Sequence, residues 1–292
     1  MNSSMIHDFL ASWALFHNTY LAGWLIGLLL ALVGVFVVAR DQIFLGAAIT
    51  QVSTLGIALG MWMSGVAAVE TFPWLESDGF LALMAVLFSV TAAVITTRGG
   101  RAGGESHEGI TGWVFLISAS LSILLVAHSP HGLQEIHRLL SSSLIGATRV
   151  DVWAFGSLLG LTVFFVLANS RRLLLLALDP AMAETIGMRA AHWGALLAAW
   201  LGLTVGLALR SSGMLYTFGC LVLPGLCAKH VVREVRSMFL VAPLVALSAG
   251  VAGFVLAHHY DFPPAQMTIA LLGLILLTAW CIRWLRGRLG GE

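Results

Sequence analysis

Charge is the scarcest commodity in this sequence. Only 10% of its 292 residues are Asp, Glu, Lys or Arg, where a soluble domain carries about 25%. Lysine is almost absent: Lys and Arg together number 15, and Lys229 is the one lysine among them. No stretch reads G-x-x-x-x-G-K-[ST], so the chain lacks the phosphate-cradling loop an ATPase needs. A net charge of +1 leaves no basic surface for nucleic acid. The three cysteines, Cys220, Cys227 and Cys281, lie in apolar stretches without C-x-x-C spacing. That pattern speaks against a disulfide framework or a zinc–thiolate site and for small buried packing residues. There is no H-E-x-x-H, no Ser-His-Asp set and no pair of carboxylates within the apolar runs, so the sequence shows no enzyme. The opening stretch, MNSSMIHDFLASWALFHN, has no basic run before an apolar core and is not read as a cleaved leader.

What fills the chain instead is apolar surface, 59% of its residues. Several runs reach the roughly 20 residues that span a bilayer. The reading is an all-α, polytopic helical membrane protein with eight to nine transmembrane segments, forming one membrane domain over residues 1–292. The expected spans are 20–39, 46–69, 80–97, 110–127, 151–169, 190–209, 213–228, 239–258 and 265–284. The seventh is interrupted by Pro224-Gly225 and is the one that crosses only partly if the total is eight. Residues 1–19 place Phe9, Trp13 and Phe16 at helical spacing, the pattern of an amphipathic helix resting on the interface. Basic residues flanking spans mark the cytoplasmic face. Arg40, Arg98/Arg101, Arg171/Arg172, Lys229/Arg233/Arg236 and Arg283/Arg286/Arg288 fall on alternate loops, which are assigned inside. Arg138, Arg149 and Arg210 run against that assignment. With nine crossings the N-terminus lies outside and the C-terminus inside.

One polar interruption carries helix-start chemistry. In Leu178–Arg189, LDPAMAETIGMR, Asp179 is placed to cap a helix and Pro180 stands at its first position, where a missing N–H costs nothing. Glu184 lies near the start of that helix, and Gly187 is placed to end it. On composition alone an ordinary interhelical loop is the plainer account. The sharper account is a short cytoplasmic helix, 178–189, that docks into a separate motor subunit.

The run D-P-x-x-A-x-x-x-G-M, here Asp179, Pro180, Ala183, Gly187 and Met188, resembles the coupling segment of the zinc/manganese permease family of ATP-binding-cassette importers. Val35–Gly60 is similar to that family's first cytoplasmic turn and second span. Glu108-Gly109-Ile110 is similar to the start of its fourth. Ser211–Lys229 resembles its G-x-L-x(5)-L-x-x-P-x-x-x-A segment through Gly213, Leu215, Leu221, Pro224 and Ala228. Gly253–Pro264 resembles its late span and Asp-x-Pro turn, here Asp261 and Pro263. Together these stretches cover most of the chain in the family's order.

The resemblance implies a permease subunit of a bacterial inner-membrane importer for a divalent metal ion or metal complex. It also implies a second copy of the permease, cytoplasmic ATPase subunits that bind ATP and Mg and grip Asp179–Arg189, and a substrate-binding protein outside. No cofactor is expected in this chain. Two positions depart from the family. Its second span usually carries an Asp after the Gly and a His four residues on, on one helical face. Here those positions are Ala47 and Gln51, neither a strong ligand for zinc or manganese.

Candidate path residues are therefore Ala47, Gln51 and Ser53 in the second span, and Cys220 and Pro224 in the seventh. A proline-broken helix frees carbonyls that line a cavity, although Ser, Thr and Gln serve helix–helix hydrogen bonding equally well. Candidate metal-receiving residues on the outer side are His128, His131, His258, His259 and Asp261, which solvated loops would also accommodate. Two other classes stay open: a secondary transporter or channel-like protein working without ATPases, which would need the intramembrane acidic residues this chain lacks, and a transport-inactive scaffold derived from a permease.

Overall fold

A computed structural model of the chain describes residues 3–66, 73–99, 107–127 and 146–289. Among them every regular element is a helix. α1 is Ser3–Ala39, α2 Ile43–Val66, α3 Asp78–Gly99 and α4 His107–Ala127, with a single 3₁₀ turn at Pro73–Glu76. α5 is Arg149–Ala168, α6 Ser170–Leu178, α7 Pro180–Thr185, α8 Ala190–Val231, α9 Val235–Tyr260 and α10 Pro264–Leu289. Eight of them are long and apolar enough to cross a membrane. This follows from the solvent: in hydrocarbon each backbone N–H and C=O must find its partner within the segment.

The described helices fall into two compact units, divided within α6 between Leu174 and Leu175 and within α8 between Phe218 and Gly219. In one unit α1 packs on α9 and α5, and α9 on α10. Small residues set the approach. A Cβ on Gly34 would lie 1.8 Å from the Leu221 carbonyl oxygen, so α1 touches α8 backbone to backbone there. Such close contact supplies dispersion where lipid offers no hydrophobic drive. Val35, Val38, Ala228, Met238 and Ala242 form the core beside it. An ion pair joins Lys229 to Asp41, at the turn after α1.

The expected amphipathic segment, residues 1–19, is helical over its described part. From Ser3 onward it is continuous with the first span. Its aromatic face stacks inward: the Phe9 and Tyr20 rings lie 4.6 Å apart, and Tyr20 meets Phe254 of α9 edge-on at 5.7 Å. With Phe254 fully buried, that face has a protein partner and no need of the headgroups.

In the other unit α2 packs on α3 and α4. Ser53 donates to the Ala85 carbonyl at 3.2 Å, and Ser89 donates to the Gly202 carbonyl at 2.7 Å. Arg210 pairs with Asp78 at 2.9 Å. This pair accounts for one basic residue that runs against the charge bias: its charge is matched at the start of α3.

The expected break at Pro224-Gly225 moves. α8 runs helically through Pro224 and departs from helical geometry at Gly213, with φ 75° and ψ 172°. Proline removes one backbone bond and is tolerated in a membrane helix whose neighbours cover the loss. The Gly213 conformation, by contrast, is essentially reserved for glycine. Spans six and seven of the sequence reading are thus two helical segments of α8 that meet at the Gly213 kink.

Neighbours give each half its sense. Thr97, Val90, Val86 and Asp78 of α3 lie against Gly194, Gly202, Gly206 and Arg210 in reverse order, so the first half of α8 is antiparallel to α3. Gly34, Val38 and Asp41 meet Leu221, Gly225 and Lys229 in rising order, so the second half is parallel to α1.

Gly213→Ala should destabilise the protein by about 1–3 kcal/mol through backbone strain. Gly273→Ala, where the added methyl meets nothing within 4 Å, should leave the melting temperature unchanged. Thermal unfolding of the two variants in detergent checks this; equal melting temperatures would remove the special role given to Gly213.

Candidate functional site

The stretch between α5 and α8 builds a compact polar-to-apolar element. α6 ends at Leu178, and Asp179 takes extended geometry as the N-cap of α7. Its Oδ1 accepts the Met182 N–H at 2.9 Å, satisfying one of the orphan donors of the first turn. Pro180 follows at the start of the helix, its fixed φ already helical. At the other end Gly187 has φ 81°. The Met188 N–H bonds to the Ala183 carbonyl and the Gly187 N–H to the Glu184 carbonyl, both at 3.0 Å. That pair of bonds is a Schellman end, which favours glycine at its left-handed residue.

A six-residue helix has little stability of its own. Here both ends are tied, and Ala183, with no exposed surface, seats it against the protein. The opposite face is open. Leu178, Met182 and Ile186 are 66%, 55% and 64% exposed. Met182 and Ile186, four apart, share a face of α7 and its cap, and Leu178 closes α6 just before the extended Asp179. Glu184 and Arg189 are exposed beside this face, and Arg171 and Arg172 on α6 are exposed as well. The sequence reading named the cap, the proline and the glycine. It missed α6 and the exposed apolar pair, which the i, i+4 spacing of Met182 and Ile186 would have revealed.

The path candidates divide between the two units. In the α2 unit, Ala47 and Gln51 are partly buried and Ser53 is fully buried. Gln51 Nε2 donates to the Met214 Sδ at 3.3 Å. Thr50 and Thr54 donate back to the Gly46 and Thr50 carbonyls at 2.7 and 3.0 Å. The polar stripe of α2 thus consists largely of side chains with helix-internal or helix–helix partners. In the other unit Cys220 and Pro224 are buried in α8, and the Cys227 thiol faces the Leu272 carbonyl of α10 at 3.9 Å.

Of the metal-receiving candidates, His128 and His131 lie outside the described residues. His258 meets the Phe9 ring edge-on at 6.3 Å, and His259 meets Tyr260 at 4.9 Å. Asp261 caps α9 in left-handed geometry, its N–H bonded to Ala257. Among the described residues no three His, Cys, Asp or Glu side chains stand close enough to hold a metal ion.

Comparison with known proteins places these features in context. Residues 12–283 match the model of the ABC 3 transport family. The chain is similar to the manganese import system permease protein ScaB of Streptococcus gordonii, 24% identical over 95% of this chain and 96% of that one. It is also similar to the high-affinity zinc uptake system membrane protein ZnuB of Haemophilus influenzae, 24% identical over 82% and 87%. Among solved structures, PsaBC from Streptococcus pneumoniae in complex with Fab shares the fold, with a TM-score of 0.77 at 19% identity over 94% of this chain and 95% of that one.

Asp179→Ala should loosen α7 by about 1 kcal/mol, the usual value of a side-chain cap. Hydrogen exchange of the Met182–Met188 amides should then quicken about fivefold, with the membrane helices unaffected. Unchanged exchange would show that the cap does not hold this helix.

Proposed function

The chain belongs to the ABC 3 transport family, and on that premise we propose that it is the membrane permease subunit of an importer for a divalent metal ion of the manganese or zinc type, or a small complex of one. It is a multi-pass inner-membrane protein. A separate ATPase subunit binds ATP and Mg, since this chain has no phosphate loop. The subunit pairs with a second copy of itself, and a substrate-binding protein delivers cargo from outside.

The observation that carries this reading is the exposed apolar surface of Met182 and Ile186 on a helix capped at both ends, with exposed Leu178 just before its cap. It lies on the side that the flanking arginines mark as cytoplasmic. Full burial of one such side chain is worth about 1.5–3 kcal/mol, so these anchors in one groove suffice for a firm grip, the helix-in-groove mode of recognition. Asp179, Pro180, Ala183, Glu184, Gly187, Met188 and Arg189 set the shape and charge of that contact. A tied helix passes a push from the ATPase to α6 and α8, where an untied loop would absorb it.

Ala47, Gln51, Ser53, Cys220 and Pro224 are proposed to border the path. Its chemistry differs from that of a ligand-lined channel. An alanine, and an amide engaged with a thioether, offer a divalent ion little coordination, so the cargo passes without a strong stop at this level. His258, His259 and Asp261, with His128 and His131, are proposed as the outer polar surface that receives it.

Co-purification with a partner ATPase tests the assignment. Met182→Asp and Ile186→Asp should weaken the association about thirtyfold, as loss of a 2 kcal/mol anchor does, with the melting temperature unchanged. Full ATPase association and stimulation in both variants would rule out this apolar face as the coupling surface. For the path, Ala47→Asp with Gln51→His should raise zinc or manganese binding in isothermal titration; no gain would remove those two positions from the route.

A further inference from the structure

The last turns of α10 and the end of α8, both in the α1 unit, enclose a groove of about 440 Å³ lined by His230, Trp280, Cys281, Arg283 and Trp284. Trp280, Arg283 and Trp284 recur at i, i+3 and i+4, so they share one helical face. Both tryptophans are more than half exposed, at 60% and 57%. Arg283 is exposed between them. Its guanidinium donates to the His230 Nδ1 at 3.2 Å. His230 therefore accepts with Nδ1 and carries its proton on Nε2, the neutral tautomer. The His230 ring stands edge-on to Trp280 with centroids 6.2 Å apart.

The charges around the groove are unbalanced. Lys229 is already paired with Asp41. Among the described residues no carboxylate pairs with Arg283. A guanidinium has five N–H donors, and the bond to His230 uses one of them. The groove also sits where an apolar span ends: the candidate crossing in α10 is Pro264–Leu285. Tryptophan at that depth belongs to the headgroup level. The arginine-rich end of α10 faces the cytoplasmic leaflet, which is the anionic one.

We propose that this groove binds the phosphate of an anionic phospholipid from the cytoplasmic leaflet. Arg283 is the ligand, held in place by His230. Trp280 and Trp284 bracket the glycerol and upper acyl region. A planar fork takes two phosphate oxygens at once, and the apolar walls suit an acyl chain better than a soluble anion. The inference does not depend on the cargo or on the ATPase.

The test uses the full chain, purified in detergent, stripped of lipid and titrated with phosphatidylglycerol or phosphatidylcholine of matched chains, with bound lipid counted by native mass spectrometry. The protein should prefer phosphatidylglycerol about fivefold, the effect of one cation at an anionic surface. Arg283→Gln should abolish that preference, and Arg172→Gln, which alters a basic residue away from the groove, should keep it. Arg283→Lys, which retains the charge and loses the fork, serves if the glutamine variant does not fold, and its preference should fall below that of the wild type. Equal preference in the wild type and the Arg283 variants would overturn the site. So would displacement of the lipid by millimolar inorganic phosphate, which would make it a site for a free anion.

Discussion

The constraint on which everything else rests is that hydrocarbon offers no hydrogen bonds and no hydrophobic drive between helices. Cohesion must come from close contact, and close contact from small residues. Gly34 against Leu221, and Gly202 against Val90, are places where one helix meets another at backbone distance. Hydroxyls take part as well, with Ser53 and Ser89 reaching carbonyls on neighbouring helices. The same constraint limits where the chain departs from helical form. It does so at termini and at Gly213, where a residue without a side chain adopts a state closed to the others.

The proposed coupling helix, α7, faces the opposite problem. Six residues alone would melt in water. Asp179 at one end and the Schellman bonds at Gly187 at the other hold it instead. The result is a small rigid body whose inner residue, Ala183, is buried and whose outer residues are greasy and exposed. Rigidity and stickiness together are what a lever needs, and neither would serve alone.

Much of this was legible in the sequence because it is local. The apolar runs, the Asp-Pro start and the glycine stop are read within a few residues of one another. What escaped is set by distant partners or by conformation. Gln51 meets Met214 across 163 positions, and nothing near either residue announces the pair. The inward turn of Phe9 and Tyr20 depends on Phe254 of α9. The weight placed on Pro224 was a misjudgement of chemistry: a proline loses one bond that neighbours can cover, while Gly213 looks in sequence like any other glycine of a membrane helix. α6 was missed because it falls between the fifth expected span, which ends at 169, and the polar element that begins at Leu178.

The Asp78–Arg210 pair bears on how such a chain is made. An arginine carried to the far side of a membrane opposes the bias that orients helices during biosynthesis. Because synthesis runs from the N-terminus, the aspartate is in place long before the arginine emerges. The later segment is thus delivered to a waiting counter-charge, and on the charge-derived topology an exception to the orientation rule becomes a latch that rewards correct insertion.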